Sequence, residues 1–190
     1  WLGWAKNGDS AGTQGYGLDA QAVQVVLVPK GGDAPGTTEG AFRAPMVTCV
    51  PHVAELGWLD DCYDGDTAGT TGKGLGLQAL KLYLGAGAGS GGVQVRAHVE
   101  QVGWQGWTSG TAGTTGRGLS IQAVQMRLTG EAADAYDIWY RVHSAELGWL
   151  GWAKNGDSAG TQGYGLDAQA VQVVLVPKGG DAPGTTEGAF

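Results

Sequence analysis

Arginine, histidine and tryptophan recur together in two segments of the chain, at spacings that could serve ligand binding. A hairpin register with two-residue turns places each group on one face: Arg96, His98 and Trp107 in one hairpin, and Arg141, His143 and Trp152 in another. A flat indole can stack on the apolar face of a sugar ring, while Arg and His hydrogen-bond its hydroxyls. The alternative is an Arg–Trp cation–π pair that only covers the surface of a sheet.

Equivalent positions elsewhere in the chain carry different residues. In the first hairpin they are Val50, His52 and Asp61, so this hairpin lacks the indole that would stack on a sugar. Trp4 holds the corresponding position in an N-terminal partial copy and is a further candidate. Four other tryptophans point to the opposite face in this register and are predicted to be core residues: Trp58, Trp104, Trp149 and Trp1.

Two patterns resemble metal or catalytic sites but are better explained otherwise. Equivalent histidines, His52, His98 and His143, could converge on an axial metal, but an ordinary structural role in a hairpin is favoured. Gly156–Gly160 matches Gly-x-Ser-x-Gly, yet a hairpin turn precedes it and a glycine turn follows it, whereas a nucleophile elbow needs a strand and a helix. The sequence therefore predicts no catalytic residue, metal or cofactor.

The elements that carry these residues belong to a repeat of about 45 residues. Three full copies cover about 46–84, 93–128 and 137–175. Residues 1–42 are identical to residues 149–190, so the first stretch is a partial copy of the third repeat with its linker. We therefore expect a partial copy followed by a three-repeat module, 43–190, that ends in a linker, 176–190. We also expect the parent protein to carry this module more than once.

Turn signals and alternation predict an all-β fold, because no window has an amphipathic helical period. Asp64–Gly65 and Asn155–Gly156 are type I′ hairpin signals, and an earlier turn is expected at Ala54–Gly57 and its equivalents. Each closing strand changes phase, which predicts a β-bulge at the Ala-aliphatic step, such as Ala79–Leu80. About four strands per copy and three copies give a threefold pseudo-symmetric architecture, either a β-trefoil or a β-prism.

Cys49 and Cys62 are the two cysteines of the chain. With a two-residue turn at Glu55–Leu56 they lie directly opposite each other, at a non-hydrogen-bonded pair, where strands approach most closely. The favoured prediction is a cross-strand disulfide, which suits an oxidising, extracellular setting. The alternative is two reduced structural thiols.

The partial copy lacks its expected first strand, whose equivalent is Arg141–Gly148. It cannot close its hairpin alone and would leave an unpaired strand edge. We therefore expect either that a strand of another chain completes it or that it packs as an open edge on the full module.

Charge and hydropathy exclude two classes of partner. The formal net charge is −7, and nucleic-acid binding needs clustered Lys and Arg to neutralise phosphates. No apolar stretch approaches the length of a membrane span. We therefore expect no nucleic acid as partner and no membrane-spanning segment.

The combined pattern of the repeats resembles a known family, the clostridial hydrophobic repeats with a shared Trp (ChW repeats). The pattern is x-His-Val-x-x-x-Gly-Trp-x-x-Trp, then Ala-Gly-Thr-x-Gly, then a Gln-Ala-aliphatic run, with Asp61 and Ser144 as departures. The resemblance implies secreted or wall-associated bacterial proteins, whose repeats are non-catalytic modules that bind carbohydrate or other macromolecules. It implies no particular ligand residues.

Residues and resemblance together predict a non-enzymatic, extracellular binding module of a bacterial surface or cell-wall-associated protein. Its expected ligand is a cell-surface or extracellular glycan, bound at the Trp-centred hairpins, and tandem copies of weak sites would raise the avidity. The alternative is a structural or protein-binding repeat array that serves as a spacer or adhesion surface. That alternative predicts no saccharide binding and a protein partner that contacts several repeats.

Overall fold

The computed structural model describes all 190 residues. Its sixteen strands, in chain order, are β1 (Gly12–Thr13), β2 (Phe42–Arg43), β3 (Val47–Val53), β4 (Gly57–Trp58), β5 (Cys62–Tyr63), β6 (Ala68–Gly69), β7 (Leu77–Leu84), β8 (Gly92–Val99), β9 (Gly103–Trp104), β10 (Thr111–Gly113), β11 (Ile121–Thr129), β12 (Tyr136–Ser144), β13 (Gly148–Trp149), β14 (Ala153–Lys154), β15 (Ala159–Gly160) and β16 (Ala168–Pro177). A 3₁₀ turn (Ala86–Ala88) and one short helix, α1 (Glu131–Ala135), lie between repeats. No helix has the length and apolar character that a membrane crossing requires.

The all-β prediction is confirmed, with several separate sheets and no closed barrel. Within each repeat the long opening strand pairs antiparallel with the long closing strand: β3 with β7, β8 with β11, and β12 with β16. The opening strands alternate between the two faces of the sheet, as a period of two requires. In β3, for example, Val47, Cys49 and Val53 are buried, whereas Val50 and His52 lie half-buried on the outer face.

Each repeat also lends a short strand to the sheet of another repeat. β6 of the first repeat pairs with β16 of the third, β10 of the second with β7 of the first, and β15 of the third with β11 of the second. The glycine in each short strand allows this close approach. At Gly69, where φ is +126°, a Cβ would lie 2.4 Å from the carbonyl oxygen of Gln169. The Ala-Gly-Thr motif is therefore the element through which the repeats exchange strands.

The three repeats share one hydrophobic core. A cluster of 24 buried residues draws on all three of them, for example Leu80, Met126 and Val171, and residues 1–42 contribute none. Tyr140 is the largest side chain that is completely buried. Strand exchange and the shared core thus join the three repeats in one packed structure.

The predicted hairpin turns and bulges are present, with one shift. Backbone φ is positive at both central residues of Asp64–Gly65 and of Asn155–Gly156, as a type I′ turn requires. The bulge in β7 leaves Gln78 between the paired residues Leu77 and Ala79, one residue earlier than predicted. The same break in register occurs in the other two closing strands.

The hairpin register is confirmed at the cysteines and wrong nearer the turn. Cys49 faces Cys62, as predicted, but His52 faces Trp58, where a two-residue turn would place Leu59. The segment between β4 and β5 therefore holds one residue more than the register requires. The side chains of β4, between this residue and the turn, consequently lie on the opposite face from the one predicted. The tryptophans of the Gly-Trp pairs are the residues that change face.

The structure does not contain the predicted disulfide, since both cysteines are free thiols. Burial is the main factor that raises the pKa of Cys49, and the neighbouring Cys62 adds to it. Cys62 Sγ lies 3.5 Å from the carbonyl oxygen of Thr67. The structure thus matches the alternative of two reduced thiols.

The partial copy packs as an open edge on the full module, which is one of the two predicted arrangements. β1 pairs parallel with β2, at the entrance to the first repeat. The Tyr16 hydroxyl donates a hydrogen bond of 2.8 Å to Asp64 Oδ2. Completion by a strand of another chain stays a prediction.

Candidate binding site on the outer faces of the hairpins

The third repeat carries a compact group of aromatic and cationic side chains on the outer face of its sheet. The Arg141 guanidinium lies between two indoles, 4.7 Å from the ring centroid of Trp149 and 4.9 Å from that of Trp152. The His143 ring meets Trp149 edge to face, with centroids 5.2 Å apart. Arg141 and Trp152 lie on one face, as predicted, and their contact is the cation–π pair of the alternative interpretation. Trp149 joins them because of the extra residue in the hairpin. We call Arg141, His143, Trp149 and Trp152 the third-repeat cluster.

The second repeat has the same group, with one additional cation. Arg96 lies 5.3 Å from the Trp104 ring and 5.0 Å from the Trp107 ring, and Arg127 lies 4.2 Å from Trp107. His98 meets Trp104 edge to face at 5.5 Å. These five residues form the second-repeat cluster, which is the richest of the three in aromatic and cationic groups.

The first repeat keeps a reduced version. Lys81 lies 4.1 Å above the Trp58 ring, and His52 meets that ring edge to face at 5.1 Å. Lys81 comes from the closing strand, directly opposite Val50, which stands where the other repeats have arginine. The first-repeat cluster (His52, Trp58, Lys81) therefore has its cation on the other strand and lacks the second indole.

Glutamines from the closing strands hold the two arginines in place. Arg96 Nε donates to Gln125 Oε1 at 2.6 Å, and that amide donates to Ser158 Oγ of the next repeat at 2.8 Å. Arg141 Nε donates to Gln172 Oε1 at 2.8 Å in the same way. Since each arginine uses Nε for this bond, its Nη groups remain as donors for a ligand. The glutamines lie in the Gln-Ala-aliphatic runs, where the sequence interpretation saw only a strand.

One indole of the third-repeat cluster is covered by the chain itself. Trp152 is only 6% exposed, so the prediction of a solvent-facing Trp152 is wrong. The linker folds back over it: the Trp152 amide donates to the Thr185 carbonyl at 2.8 Å, and a Cβ at Gly184 would lie 3.1 Å from Trp152 Nε1. Trp4 is half-buried beneath the identical linker, where Gly36 takes the place of Gly184.

The tryptophans predicted for the core lie outside it. Trp58 and Trp1 are exposed, whereas Trp104 and Trp149 are half-buried on the outer faces. The physical reason is the extra residue between the Gly-Trp pair and the rest of the hairpin, which turns Trp58, Trp104 and Trp149 toward the cations of the outer faces. No strand in the structure pairs with Trp1 as β12 pairs with Trp149.

Trp139 is a further aromatic residue that the sequence interpretation did not single out. It is buried, its Nε1 has no hydrogen-bond partner, and Lys154 lies 5.0 Å from its ring. Trp139, Trp152 and Thr186 line a small cavity of about 330 Å³. Alternation along β12, which places Trp139 on the same face as Arg141, was the available signal.

The three histidines share one environment and lie on three different sheets. Nδ1 of His52, His98 and His143 is buried without a hydrogen-bond partner, and each ring packs against the tryptophan of its own hairpin. No group of three or more His, Cys, Asp or Glu side chains in the structure could hold a metal ion. Each histidine thus packs edge to face on the indole of its own hairpin.

The clusters differ in how accessible their second indole is to solvent: Trp107 is half-buried, Trp152 is buried, and the first repeat has none. In the second repeat Trp104, Trp107 and Arg96 are half-buried and Arg127 is exposed, so both indoles and both guanidinium groups reach the surface. In the third repeat Trp152 is buried and burial lowers the pKa of Arg141, whereas Arg141 and Trp149 are half-buried like their counterparts in the second repeat. The second-repeat cluster is thus the best candidate site, and it contains the predicted residues Arg96, His98 and Trp107.

Comparison with known proteins identifies the repeats. A family model described as Clostridial hydrophobic W matches four segments: residues 1–29, 52–85, 98–130 and 143–177. The full-copy segments begin at the hairpin histidines, so the outer tryptophans and the closing-strand glutamines lie within them, while Arg96 and Arg141 lie just before them. No curated protein and no solved structure matches the chain.

Proposed function

Because the chain belongs to the Clostridial hydrophobic W family, we propose that it is a non-catalytic, extracellular module of a bacterial surface or cell-wall-associated protein that binds carbohydrate. The observation that supports this most is the second-repeat cluster. It places two indoles and two guanidinium groups at the surface of a chain whose net charge is −7. Flat apolar rings beside planar donors suit a sugar ring and its polar substituents.

The cations support a particular class of glycan as the proposed ligand. Arg96 keeps its Nη groups beyond its bond to Gln125, and Arg127 is bonded through Nε and Nη2 to Gln94 at 3.0 and 2.8 Å. Guanidinium groups bind carboxylate and phosphate strongly because they offer parallel donors. The proposed ligand is therefore an anionic cell-wall polysaccharide, with Arg96 as the principal anion-binding residue and Trp107 as the stacking platform.

We also propose that the three sheets form a threefold prism rather than a trefoil. The support is that each repeat has its own sheet, that short strands are exchanged between repeats, and that one core lies beneath all three. A prism presents three equivalent outer faces, which are where the clusters lie. Repeated faces on repeated modules would raise avidity for a polymeric ligand.

Binding to purified anionic cell-wall polysaccharide tests the function. We expect Trp107→Ala to weaken binding at least about tenfold, since stacking on an aromatic ring and exclusion of water are both lost. Trp4→Ala is the matched control, because Trp4 occupies the equivalent position beneath the linker and should leave affinity unchanged. Circular dichroism melts of both variants establish that the fold is intact.

Two results would contradict the proposal. Equal affinities of Trp107→Ala and the unmodified chain would remove the second-repeat cluster as the site. Failure of the unmodified chain to bind any wall polysaccharide would exclude carbohydrate recognition and leave the alternative function.

The alternative is a structural or protein-binding array, and one observation favours it. The tip of each hairpin exposes an apolar side chain at the equivalent position: Leu56, Val102 and Leu147. Such residues can anchor a protein partner that spans several repeats. In that case the three tips should be protected together in a footprinting experiment with the partner, and the polysaccharide should not bind.

A further inference from the structure

The glycine turn that follows the Trp pair of the third repeat occurs twice, once docked and once free. The docked copy is Gly12–Gly17, and the copy with identical residues is Gly160–Gly165. Gly160 pairs with β11 of the second repeat, and Gln162 Oε1 accepts from Trp104 Nε1 at 3.1 Å. We call this copy free because its tyrosine end, Gly163–Tyr164, is not packed on a first repeat. Tyr16 in the docked turn is half-buried, whereas Tyr164 is 78% exposed. The sequence is the same in both turns, so the different exposure of the two tyrosines follows from the contacts of Tyr16 with Asp64 and Tyr63 of the first repeat.

The docked turn makes backbone contacts with Arg43, just before the first repeat, and side-chain contacts with the first repeat itself. The Gln14 amide donates to the Arg43 carbonyl at 2.8 Å, which extends the β1–β2 pairing. The Tyr16 hydroxyl donates to Asp64 Oδ2 at 2.8 Å. The Tyr16 ring also meets the Tyr63 ring edge to face, with centroids 5.1 Å apart. A strand pair, a hydrogen bond to a carboxylate and an aromatic pair thus act at one place.

The backbone of the turn fits closely against Pro45, just before the first repeat. Gly15 has φ of +80°, and a Cβ there would lie 3.2 Å from Cδ and Cγ of Pro45. At Gly163, the same position in the free turn, an added Cβ would have no atom within 4 Å. The docked turn covers one side of a cavity of about 490 Å³ that Met46 and Asp64 also line.

The docking surface is found on the first repeat and not on the others. Asp64 Oδ1 accepts from the amides of Met46 and Val47, which leaves Oδ2 for Tyr16. The third repeat has Asn155 in this position, and its amide donates to Asp137 instead. Tyr63 likewise corresponds to Lys154. Only the first repeat therefore offers both a free carboxylate oxygen and an aromatic ring.

The linker is already folded in both copies. The Trp4 amide donates to Thr37 and the Gly12 amide to Ala41, and the same bonds join Trp152 to Thr185 and Gly160 to Ala189. The free turn and its linker therefore present the geometry that the docked copy uses.

We propose that this glycine turn seats the third repeat of one module on the first repeat of the next, and that the free turn, Gly160–Gly165, accepts the first repeat of a second copy of the module. The contact is head-to-tail, so it generates an open array rather than a closed dimer. Tandem modules then stack with a fixed orientation, which presents their outer clusters in register. Burial and the Asp64 carboxylate raise the pKa of Tyr16 to about 12, consistent with a hydroxyl held in this contact.

Amide hydrogen exchange on the full chain tests the docked contact. The reporter is the Gln14 amide, whose acceptor is Arg43. Tyr16→Ala should accelerate its exchange at least about tenfold, because the turn detaches from the first repeat. Tyr164→Ala is the matched control and should leave Gln14 unchanged. The Asp9 amide, bonded within its own turn to Lys6 at 2.9 Å, should not respond to either variant.

Two results would overturn the docked contact: unprotected Gln14 exchange in the unmodified chain, or equal acceleration by Tyr16→Ala and Tyr164→Ala.

Sedimentation tests the free turn. Tyr16→Ala vacates the first repeat, so this variant should self-associate with rising concentration through Tyr164 of another copy. The double variant Tyr16→Ala/Tyr164→Ala should stay monomeric. Identical masses for the single and double variants at every concentration would show that the free turn does not accept a second copy.

Discussion

One sequence of 42 residues adopts two structures in this chain. In residues 149–190 it forms β16, and Val171 and Val173 are 0% and 3% exposed in the core. In residues 1–42 the corresponding Val23 and Val25 are 78% and 85% exposed and form no strand. The difference is the partner, because β16 pairs along the whole of β12 and nothing equivalent pairs with the first copy. Strand propensity alone does not make this strand.

Other parts of the two copies are the same. Asn7–Gly8 has φ of 50° and 93°, and Asn155–Gly156 has 50° and 99°. The closing hydrogen bonds, from Asp9 to Lys6 and from Asp157 to Lys154, are both 2.9 Å. A type I′ turn needs only its own residues, whereas a strand needs a partner from elsewhere in the chain. The comparison separates local from long-range determinants of the fold.

The largest expected difference in stability comes from making the same Val→Asp substitution at equivalent positions of the two 42-residue copies. Val171→Asp puts an unpaired carboxylate in the shared core and should cost about 4 kcal/mol or more of unfolding free energy. Val23→Asp, the identical change in the first copy, should stay within about 0.5 kcal/mol. Urea denaturation followed by tryptophan fluorescence measures both. A comparable loss from Val23→Asp would mean that the first copy is also packed as a strand.

Tyr140 supports the Asn155–Gly156 turn of residues 149–190. No tyrosine supports the identical Asn7–Gly8 turn of residues 1–42. Its hydroxyl donates to the Asp157 carbonyl and accepts from the Gly156 amide at 3.2 Å. Tyr140→Phe keeps the ring and should cost about 1–2 kcal/mol in urea denaturation, since two buried backbone groups lose their partner. The Asn155–Gly156 turn should nevertheless persist, as Asn7–Gly8 does without a tyrosine. Loss of the positive φ at Asn155, measured by NMR couplings, would contradict this view of the turn as locally determined.

The same variant has a pH signature. Burial raises the pKa of Tyr140 well above its ordinary value, so the folded state favours the neutral hydroxyl. Stability from this group is fully present below about pH 10 and falls as the pH rises beyond it, because the unfolded chain ionises first. Tyr140→Phe should lack the part of the alkaline loss that Tyr140 causes.

The success of the sequence predictions follows the same division between local and long-range determinants. The Asp64–Gly65 and Asn155–Gly156 turns were predictable because the dipeptide itself dictates the backbone. The pairing of Cys49 with Cys62 followed from counting outward from a turn. Counting failed at Trp58, since an extra residue between β4 and β5 leaves no mark in a single sequence. This one residue explains why three tryptophans were assigned to the wrong face.

Only part of the candidate site was predictable from the sequence, because some of its contacts are local and others join distant segments of the chain. Arg96, His98 and Trp107 were grouped correctly, because they lie within one hairpin. The cover over Trp152 comes from Thr185 and its neighbours in a linker without strand or helix signals. The exchange of Gly69 into the sheet of the third repeat depends on how whole repeats pack, which periodicity within one repeat does not encode.

The smallest expected effect concerns the lysine just after the closing strand, Lys178 in the second copy and Lys30 in the first. Lys178 Nζ lies 2.9 Å from Asp137 Oδ1, whereas Lys30 is exposed and forms no ion pair. Asp137 is buried, and the Asn155 amide is the main factor that lowers its pKa to about 2, with Lys178 and the Gly179 amide adding to it. The carboxylate therefore stabilises the fold above about pH 4, and this contribution is lost as the pH falls toward 2.

Lys178→Met should cost about 0.5–1 kcal/mol at pH 7, a modest value because the lysine is half exposed and screened by solvent. Lys30→Met should have no measurable effect at any pH. The difference between the two variants should shrink as Asp137 is protonated, so urea titrations at pH 7 and near pH 2 give the test. A difference that persists near pH 2 would assign the role of Lys178 to its bond with the Ala133 carbonyl, at 3.0 Å, rather than to the ion pair. Equal effects of Lys178→Met and Lys30→Met at pH 7 would contradict the prediction. They would mean that the ion pair between Lys178 and Asp137 adds no measurable stability.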